Sequence, residues 1–349
     1  SLPSESDIHK HFSDLFSNRP YVGGFQGPQK ARKRDTFQPV TIDEIDAALK
    51  GTLSTAPGPD LTTIFDMRKI DASAWSIIFN VMLRCAITPK RFRGSRTVLL
   101  HKKNSRKDPR NWRPISVSSM ISRLFHKILA GRLRNALDLA EEQRGFATVD
   151  GTMINSILLE TFMRDSRAKG RNYCVASIDI QAAFDSVHHE SIVSSLRSMG
   201  IEDETITYIQ EHYRHLSTTL TCDGQTMGEV DISVGVKQGD PLSPIIFNAI
   251  MDKLITALPK EIWGEIAGRK FAILAFADDL ILLSNSTAAM QLQLDLLSKF
   301  LQSEGMKINI NKCYVLRCER IPRTNRQMAV MSKSLLKFDG QFLPTVGAI

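Results

Sequence analysis

Several features that would each define a class of protein are missing from this chain. Its five cysteines, Cys85, Cys174, Cys222, Cys313 and Cys318, form an odd, scattered set. Cys313 and Cys318 are close, but no second pair or histidine follows at the spacing of a zinc site. All five are expected as unpaired thiols in a reducing, intracellular compartment. No apolar run approaches the roughly 18–20 residues of a membrane span, and the opening SLPSESDIHKHFSDLF lacks a signal-peptide pattern. Internal repeats and low-complexity tracts are absent too. What remains is ordinary globular material: 349 residues, 42% hydrophobic and 23% charged, enough for a substantial core in two or three subdomains.

Acidic residues are scarce in one place. The stretch KRFRGSRTVLLHKKNSRKDPRNWR at 90–113 carries Arg91, Arg93, Arg96, Lys102, Lys103, Arg106, Lys107, Arg110 and Arg113 against one acid, Asp108. A second basic patch, QKARKRD, lies at 29–35, and the net charge is +8. A solvated face or a disordered tail would account for such runs. Residues 98–100 and Trp112 are threaded through the first one, which argues for a folded strand-turn-strand unit. A polyanion such as nucleic acid is the natural partner.

Along the chain, residues 8–16 are amphipathic and a Gly, Pro and Lys-rich linker follows. TIDEIDAALKG at 41–51 predicts a helix capped by Thr41 with Glu44 three residues on and Gly51 as its stop. APGPD at 56–60 predicts a loop. A helix is expected at 72–83, strands at TVLLH and RPISVSS, and helices near 119–137 and 153–168. YCVASIDI (173–180) predicts a strand, followed by helices in HESIVSSLRSMG and DETITYIQEHYRH and a hairpin turning at Asp223-Gly224. PLSPIIFNAIMDKLITAL predicts a helix after its prolines, and KFAILAFADDLILLS a pair of strands. The helix of STAAMQLQLDLLSKFLQSEG has Ser286 as cap, Met290, Leu294, Leu297 and Leu301 on one face, and Gly305 as stop. MKININKCYVLRC predicts a returning strand. Strands with intervening helices describe an α+β fold, with helices on one side of the sheet.

Two neighbouring carboxylates, Asp278 and Asp279, interrupt the apolar run LAFADDLILL at 274–283. Burying unpaired carboxylates is costly. Adjacent residues of a straight strand point to opposite faces, so the two share a site only if the chain turns there. A plain acidic turn is one reading. On a second acidic strand a third carboxylate, Asp179, follows the apolar run of VASIDIQAAFDSV and could lie beside Asp278 on a neighbouring strand. Three carboxylates without histidine make a hard, oxygen-only site that suits Mg²⁺ rather than zinc. Two such ions about 3.5–4 Å apart can hold the attacking and leaving oxygens of a phosphoryl transfer. The third element is GVKQGDPLSPIIFN at 235–248, in which Gly239 permits close backbone approach and Gln238 offers an amide to a base or sugar.

In this order, SIDIQAAFDSV, GVKQGDPLSPIIFN, FADD and GMKININKC resemble the successive palm motifs of reverse transcriptases. RPISVSSMISRLFHKILAGRL and APGPD resemble the fingers motifs before them. The wording is most similar to non-LTR retrotransposons of the site-specific, target-primed kind, over residues 41–318. The resemblance implies a right-hand fold: an N-terminal extension over 1–40, fingers with part of the palm over 41–172, and an antiparallel palm sheet backed by helices over 173–318. Residues 319–349 would begin the connection toward a primer grip and thumb, so the chain reads as a fingers–palm core. It further implies two Mg²⁺ ions, or Mn²⁺ as a substitute, and an RNA template, a DNA primer or target and deoxynucleoside triphosphates as partners. No membrane is implied, and a eukaryotic element would work in the nucleus.

Carried over by position, Asp179 and Asp278 look like the main metal ligands, with Asp279 a third and Ile180 contributing its carbonyl. Phe184 looks like the gate beneath the sugar 2′ carbon. Gln238 and Gly239 resemble the pair that meets the incoming nucleotide, and Lys102 (or Lys103) and Arg113 the cations on its triphosphate. Lys312 stands where the family has a lysine that protonates the leaving pyrophosphate; a surface lysine is the other reading. Gln143 and Gly145, with Arg91, Arg93 and Arg96, would touch the template. The chain departs from the pattern at Leu61, where a glycine usually follows PGPD, and at Ala182, where a polar or basic residue is common. No primer grip is evident, although FLPTVGAI approaches one. Two other readings are a group II intron-like reverse transcriptase and a domesticated polymerase-like RNA-binding scaffold.

Overall fold

The computed structural model describes every residue except 1, 18–19, 32–34, 148, 215, 260–263, 267, 322–326, 331–334 and 347–349. The centre of the 29–35 basic patch and the end of FLPTVGAI therefore lie outside the described residues. In chain order the strands are β1 (Ser95–His101), β2 (Trp112–Ser118), β3 (Tyr173–Asp179), β4 (Leu216–Cys222), β5 (Gln225–Ile232), β6 (Gly264–Ile266) and β7 (Arg269–Phe271). They continue as β8 (Ile273–Phe276), β9 (Asp279–Ser284), β10 (Tyr314–Arg320), β11 (Gln327–Ala329), β12 (Lys337–Phe338) and β13 (Gln341–Phe342). Two compact units form, one from Ser1–Pro20, Gln29–Asp138 and Phe184–Ala249, the other from Tyr21–Pro28, Leu139–Ala183 and Ile250–Ile349. These segments interleave along the chain, whereas the division read from the sequence runs in consecutive blocks.

The first unit holds a four-stranded sheet in the order β2-β1-β4-β5, with β1 and β4 parallel and the other pairs antiparallel. The hairpin β4–β5 turns at Asp223-Gly224, where both residues have positive φ, as that pair of turn residues predicts. Helix Ile42–Lys50 carries the full capping box between Thr41 and Glu44. Helices Ala72–Arg84, Met120–Ala136 and Asp203–Tyr213 pack through aromatic rings. Phe125 stacks on Phe79 and takes Tyr208 edge-on, both with ring centroids 5.0 Å apart. Helix Glu5–Phe16 lays Ile8, Phe12 and Phe16 into the core, and His9 Nε2 lies 3.1 Å from the Glu229 carbonyl on β5. This part of the N-terminal extension thus belongs to the first unit's packing.

The second unit is an antiparallel sheet in the order β11-β10-β3-β9-β8. Phe162 of helix Gly151–Ala168 packs with Tyr173, Val175, Phe271, Leu274, Leu283 and Cys318. Helix Thr287–Ser303 buries Met290, Leu294, Leu297 and Leu301, the face its periodicity predicts. Truncating one such leucine to alanine costs about 2–5 kcal/mol. Beside this helix a buried ion pair joins Lys253 and Glu304 at 3.3 Å. The strand expected from MKININKC begins only at Tyr314. Before it, Ile308 bridges Ile180 and a 3₁₀ turn occupies Ile310–Lys312, because Lys307 and Asn309 hydrogen-bond across the end of β3. Among the described residues all five cysteines are free thiols, and no helix is long and apolar enough to cross a membrane.

Candidate active site

In the second unit, β3 alternates so that Ile178 is buried while Ser177 is exposed and Asp179 half-buried. Asp179 ends the strand directly opposite Asp279, the first residue of β9. Directly paired residues of antiparallel strands share a face, so these two carboxylates stand side by side. β8 and β9 form a hairpin closed by Phe276 opposite Asp279, and Ala277 and Asp278 are its two turn residues. The chain turns where the sequence requires it. Two details differ from expectation. Asp279, rather than Asp278, is the residue opposite Asp179, and the acids lie at the open rim of the sheet, with Asp278 half-buried and Asp279 exposed. Partial desolvation and then the charge of Asp179 push the Asp279 carboxyl above its ordinary range.

The end of β3 is fixed on both sides. The Asn309 N–H donates to the Asp179 carbonyl at 2.8 Å, and the Asp179 N–H donates to Cys313 Sγ at 3.4 Å. Burial, with a contribution from the Asp179 charge, raises the Cys313 thiol above its usual range. The 3₁₀ turn sets Lys312 Nζ 3.8 Å from Asp179 Oδ2, with the lysine side chain largely exposed. The Ile180 side chain is buried under its bridge to Ile308. Ala182 has φ 47°, a left-handed bend just after β3. Gln143 and Gly145, expected at a template, are turned inward. The Gln143 side chain is 6% exposed and its amide binds the backbone of Ala277.

The first unit carries the other candidates. Leu100 pairs with Arg113, and the Lys102 N–H continues the ladder to the Asn111 carbonyl at 2.8 Å. Period-two alternation therefore puts Arg96, Lys102 and Arg113 on one face of the hairpin, opposite the buried Ser95, Thr97 and Leu99. That face favours Lys102 over Lys103 as the partner of Arg113. Arg91 is exposed on the short helix Lys90–Arg93. Arg93 is half-buried and donates to the Thr88 carbonyl at 3.0 Å and the Arg214 carbonyl at 3.5 Å.

Phe184 stacks on Phe247 with centroids 4.6 Å apart and planes 14° from parallel. Gln238 Nε2 donates to both oxygens of Asp185 at 2.9 Å, and its carbonyl accepts the Ser116 N–H at 2.8 Å. Gly239 has φ 112°, and a Cβ there would fall 2.6 Å from the Ser116 oxygen; only glycine fits. Asp240 anchors this loop to helix Met120–Ala136: Oδ2 lies 2.7 Å from His126 Nδ1 and Oδ1 accepts the Leu242 N–H at 2.9 Å. Ligand-type atoms of His126, His212 and Asp240 lie within 4.8 Å of one another. Both nitrogens of His126 are already engaged, the second with the Tyr208 hydroxyl at 3.0 Å, so the histidine is held between Asp240 and Tyr208. Sequence reading gave no site role to His126, Asp185, Asp240 or Cys313, whose partners come from distant segments and leave no local spacing signal.

The family described as "Reverse transcriptase (RNA-dependent DNA polymerase)" matches residues 100–334. The chain is 35% identical over 317 residues to the "Retrovirus-related Pol polyprotein from type-1 retrotransposable element R2" of Popillia japonica, covering 88% of this chain and 43% of that protein. It is 37% identical over 276 residues to the type-2 element R2DM polyprotein of Drosophila melanogaster, covering 79% of this chain and 26% of that one. The chain thus spans less than half the length of these relatives. Among solved structures, apo telomerase from Candida tropicalis, truncated from its C-terminal domain, aligns with TM-score 0.48 and 16% identity over 75% of this chain and 58% of that one.

Proposed function

Because this chain belongs to the reverse transcriptase (RNA-dependent DNA polymerase) family, we propose that it is the nucleotidyl-transfer core of a non-LTR retrotransposon polymerase. It extends a DNA primer on an RNA template, using deoxynucleoside triphosphates. The observation that carries this reading is the Asp179–Asp279 register with Asp278 in the adjoining turn. An all-carboxylate donor set fits Mg²⁺, with Mn²⁺ as a substitute, and the mutual repulsion within it is what a cation relieves. Two bound ions would neutralise phosphate charge and activate the primer 3′-hydroxyl toward the α-phosphate.

The protein's own work is positioning and electrostatics. Asp179, Asp278 and Asp279 present preorganised negative charge at the sheet rim, with the Ile180 carbonyl as a further oxygen donor. Lys312 Nζ, beside Asp179, carries a proton suited to a departing pyrophosphate. In the first unit, Lys102 and Arg113 offer two cations on one face to a triphosphate, and Gly239 lets the backbone approach a nucleotide beside Gln238. Phe184, backed by Phe247, offers a ring that a 2′-hydroxyl would crowd. Arg91 and Arg96 suit a nucleic-acid backbone, so binding should weaken with salt. A chromosomal primer would place the reaction in the nucleus.

The test is primer extension on an RNA template with Mg²⁺, comparing wild-type chain with Asp179→Ala and Asp278→Ala. Extension that disappears in both variants supports the reading, and extension that survives Asp278→Ala overturns it. Where extension by this core is too slow to measure, saturable Mn²⁺ binding lost in Asp179→Ala tests the ion site directly.

A further inference from the structure

The turn that carries Asp278 has a conformation that alanine resists. Ala277, its first residue, has φ 55°, where a hairpin ordinarily prefers glycine because a Cβ crowds the backbone. Ala277 is also buried, so its N–H and C=O need partners. One side chain provides both. The Ala277 N–H donates to Gln143 Oε1 at 2.8 Å, and Gln143 Nε2 donates to the Ala277 carbonyl at 3.2 Å. Oε1 also accepts the Gly145 N–H at 2.9 Å, which fixes the orientation of the amide, since both N–H groups require the oxygen end.

The clamp is itself anchored. Residues 142–144 run parallel to β8, with the Ala275 N–H donating to the Glu142 carbonyl at 3.0 Å and the Arg144 N–H donating to the Ala275 carbonyl at 2.9 Å. Asn155 Nδ2 donates to that same Ala275 carbonyl at 3.2 Å, and Arg144 Nη1 donates to Asn155 Oδ1 at 3.1 Å. A Cβ on Gly145 would fall 2.2 Å from the Ala277 nitrogen, so glycine there is what lets the segment close on the turn.

We propose that Gln143 is a positioning residue for nucleotidyl transfer: its amide holds Ala277 left-handed and so aims the Asp278 and Asp279 carboxylates, in place of touching the template. The proposal deepens the polymerase reading above and rests on it. Clamped alanine allows the turn fewer alternatives than unclamped glycine would, which suits a group whose placement sets the reaction rate.

The experiment compares wild-type chain, Gln143→Ala, Gln143→Glu and the double variant Gln143→Ala/Ala277→Gly. Primer extension on RNA with Mg²⁺ is read beside amide hydrogen exchange over residues 271–281. Gln143→Ala should lower kcat roughly 10- to 100-fold, leave nucleotide KM and RNA affinity within about twofold, and speed exchange in the hairpin. Adding Ala277→Gly should regain part of kcat, because glycine adopts this turn without help; a merely structural role gives no such rescue. Should Gln143→Ala fail to fold, Gln143→Glu carries the same comparison, since it keeps the acceptor and sets an oxygen against the Ala277 carbonyl. Lost RNA affinity with kcat intact, or unchanged exchange over 271–281, overturns the clamp. If wild-type chain does not extend a primer at all, Mn²⁺ binding in wild type against Asp179→Ala decides the polymerase reading and the exchange result alone decides the clamp.

Discussion

Asp179 and Asp279 face each other directly across β3 and β9, on the same side of the sheet. Like charges in that register destabilise a sheet by a few tenths to about 1 kcal/mol, and the Asp279 carboxyl titrates above its usual range through desolvation and the Asp179 charge. A carboxyl whose folded pKa is raised contributes stability that is present below its unfolded pKa and is lost as pH rises through the folded one. Asp279→Asn removes this dependence. Without divalent ions, the variant should be more stable than wild type at about pH 7 by roughly 0.5 kcal/mol after solvent screening. The gap should close toward about pH 4, near the unfolded carboxyl pKa. Urea midpoints across that range check it, and a gap that widens as pH falls would contradict the assignment.

On the proposed reading, the same repulsion would make a divalent cation a folding ligand. Mg²⁺ or Mn²⁺ bound only to the folded chain stabilises it by RT ln(1 + [L]/Kd), about 2.7 kcal/mol at a hundredfold excess over Kd. Calorimetric Tm should therefore climb with divalent ion and fall back on chelation. Asp179→Ala should abolish the climb. An equal climb in that variant would place the ion elsewhere.

What the sequence made legible was local or strictly ordered. The Thr41–Glu44 capping box, the Asp223-Gly224 turn and the apolar face of Thr287–Ser303 depend on neighbours within a few residues, and all three are present. The acidic hairpin was legible because an apolar strand has no other reason to break at Ala277-Asp278. Partnerships across long separations were not. Gln143 meets Ala277 over 134 residues and His126 meets Asp240 over 114, separations that no local pattern of residue types can announce. Arg93 shows the converse: its charge was visible in the sequence, but its carbonyl partners at Thr88 and Arg214 come from the fold.

Leu61 stands after PGPD at φ 59° and is largely exposed; its N–H closes the loop onto the Gly58 carbonyl at 3.0 Å. A left-handed backbone costs an L-residue about 1–2 kcal/mol, most for a β-branched one. The glycine common at this position in related motifs is thus accounted for by geometry. Leu61→Gly should leave stability unchanged or raise it by up to about 1 kcal/mol, relief of strain being offset by greater unfolded-state freedom. Leu61→Val should destabilise by about 1 kcal/mol. Denaturant midpoints of the two variants should move in opposite directions or leave only Leu61→Val displaced; equal losses would mean the turn is held by the leucine side chain.

His126 and Asp240 are both buried, and their 2.7 Å contact ties the Gln238-Gly239 loop to helix Met120–Ala136. Burial pushes the Asp240 carboxyl up, but His126, the Leu242 N–H and Lys237 together outweigh it and hold the carboxyl below its ordinary range. This contribution to stability is present above the unfolded carboxyl pKa and is lost as pH falls through the folded value. His126→Ala leaves that charge without its main partner in the interior, which should cost about 3–5 kcal/mol. Tyr208→Phe removes the hydroxyl that meets the far nitrogen of His126 and accepts from Thr88 Oγ1, and should cost about 1–2 kcal/mol. Because Asp240 follows Gly239 directly, Tyr208→Phe should also raise nucleotide KM more than it lowers kcat, as expected when a binding loop loosens while the carboxylates stay in place. A His126→Ala chain within about 1 kcal/mol of wild type would mean that the Leu242 N–H and Lys237 suffice for Asp240, and that the histidine only fills space.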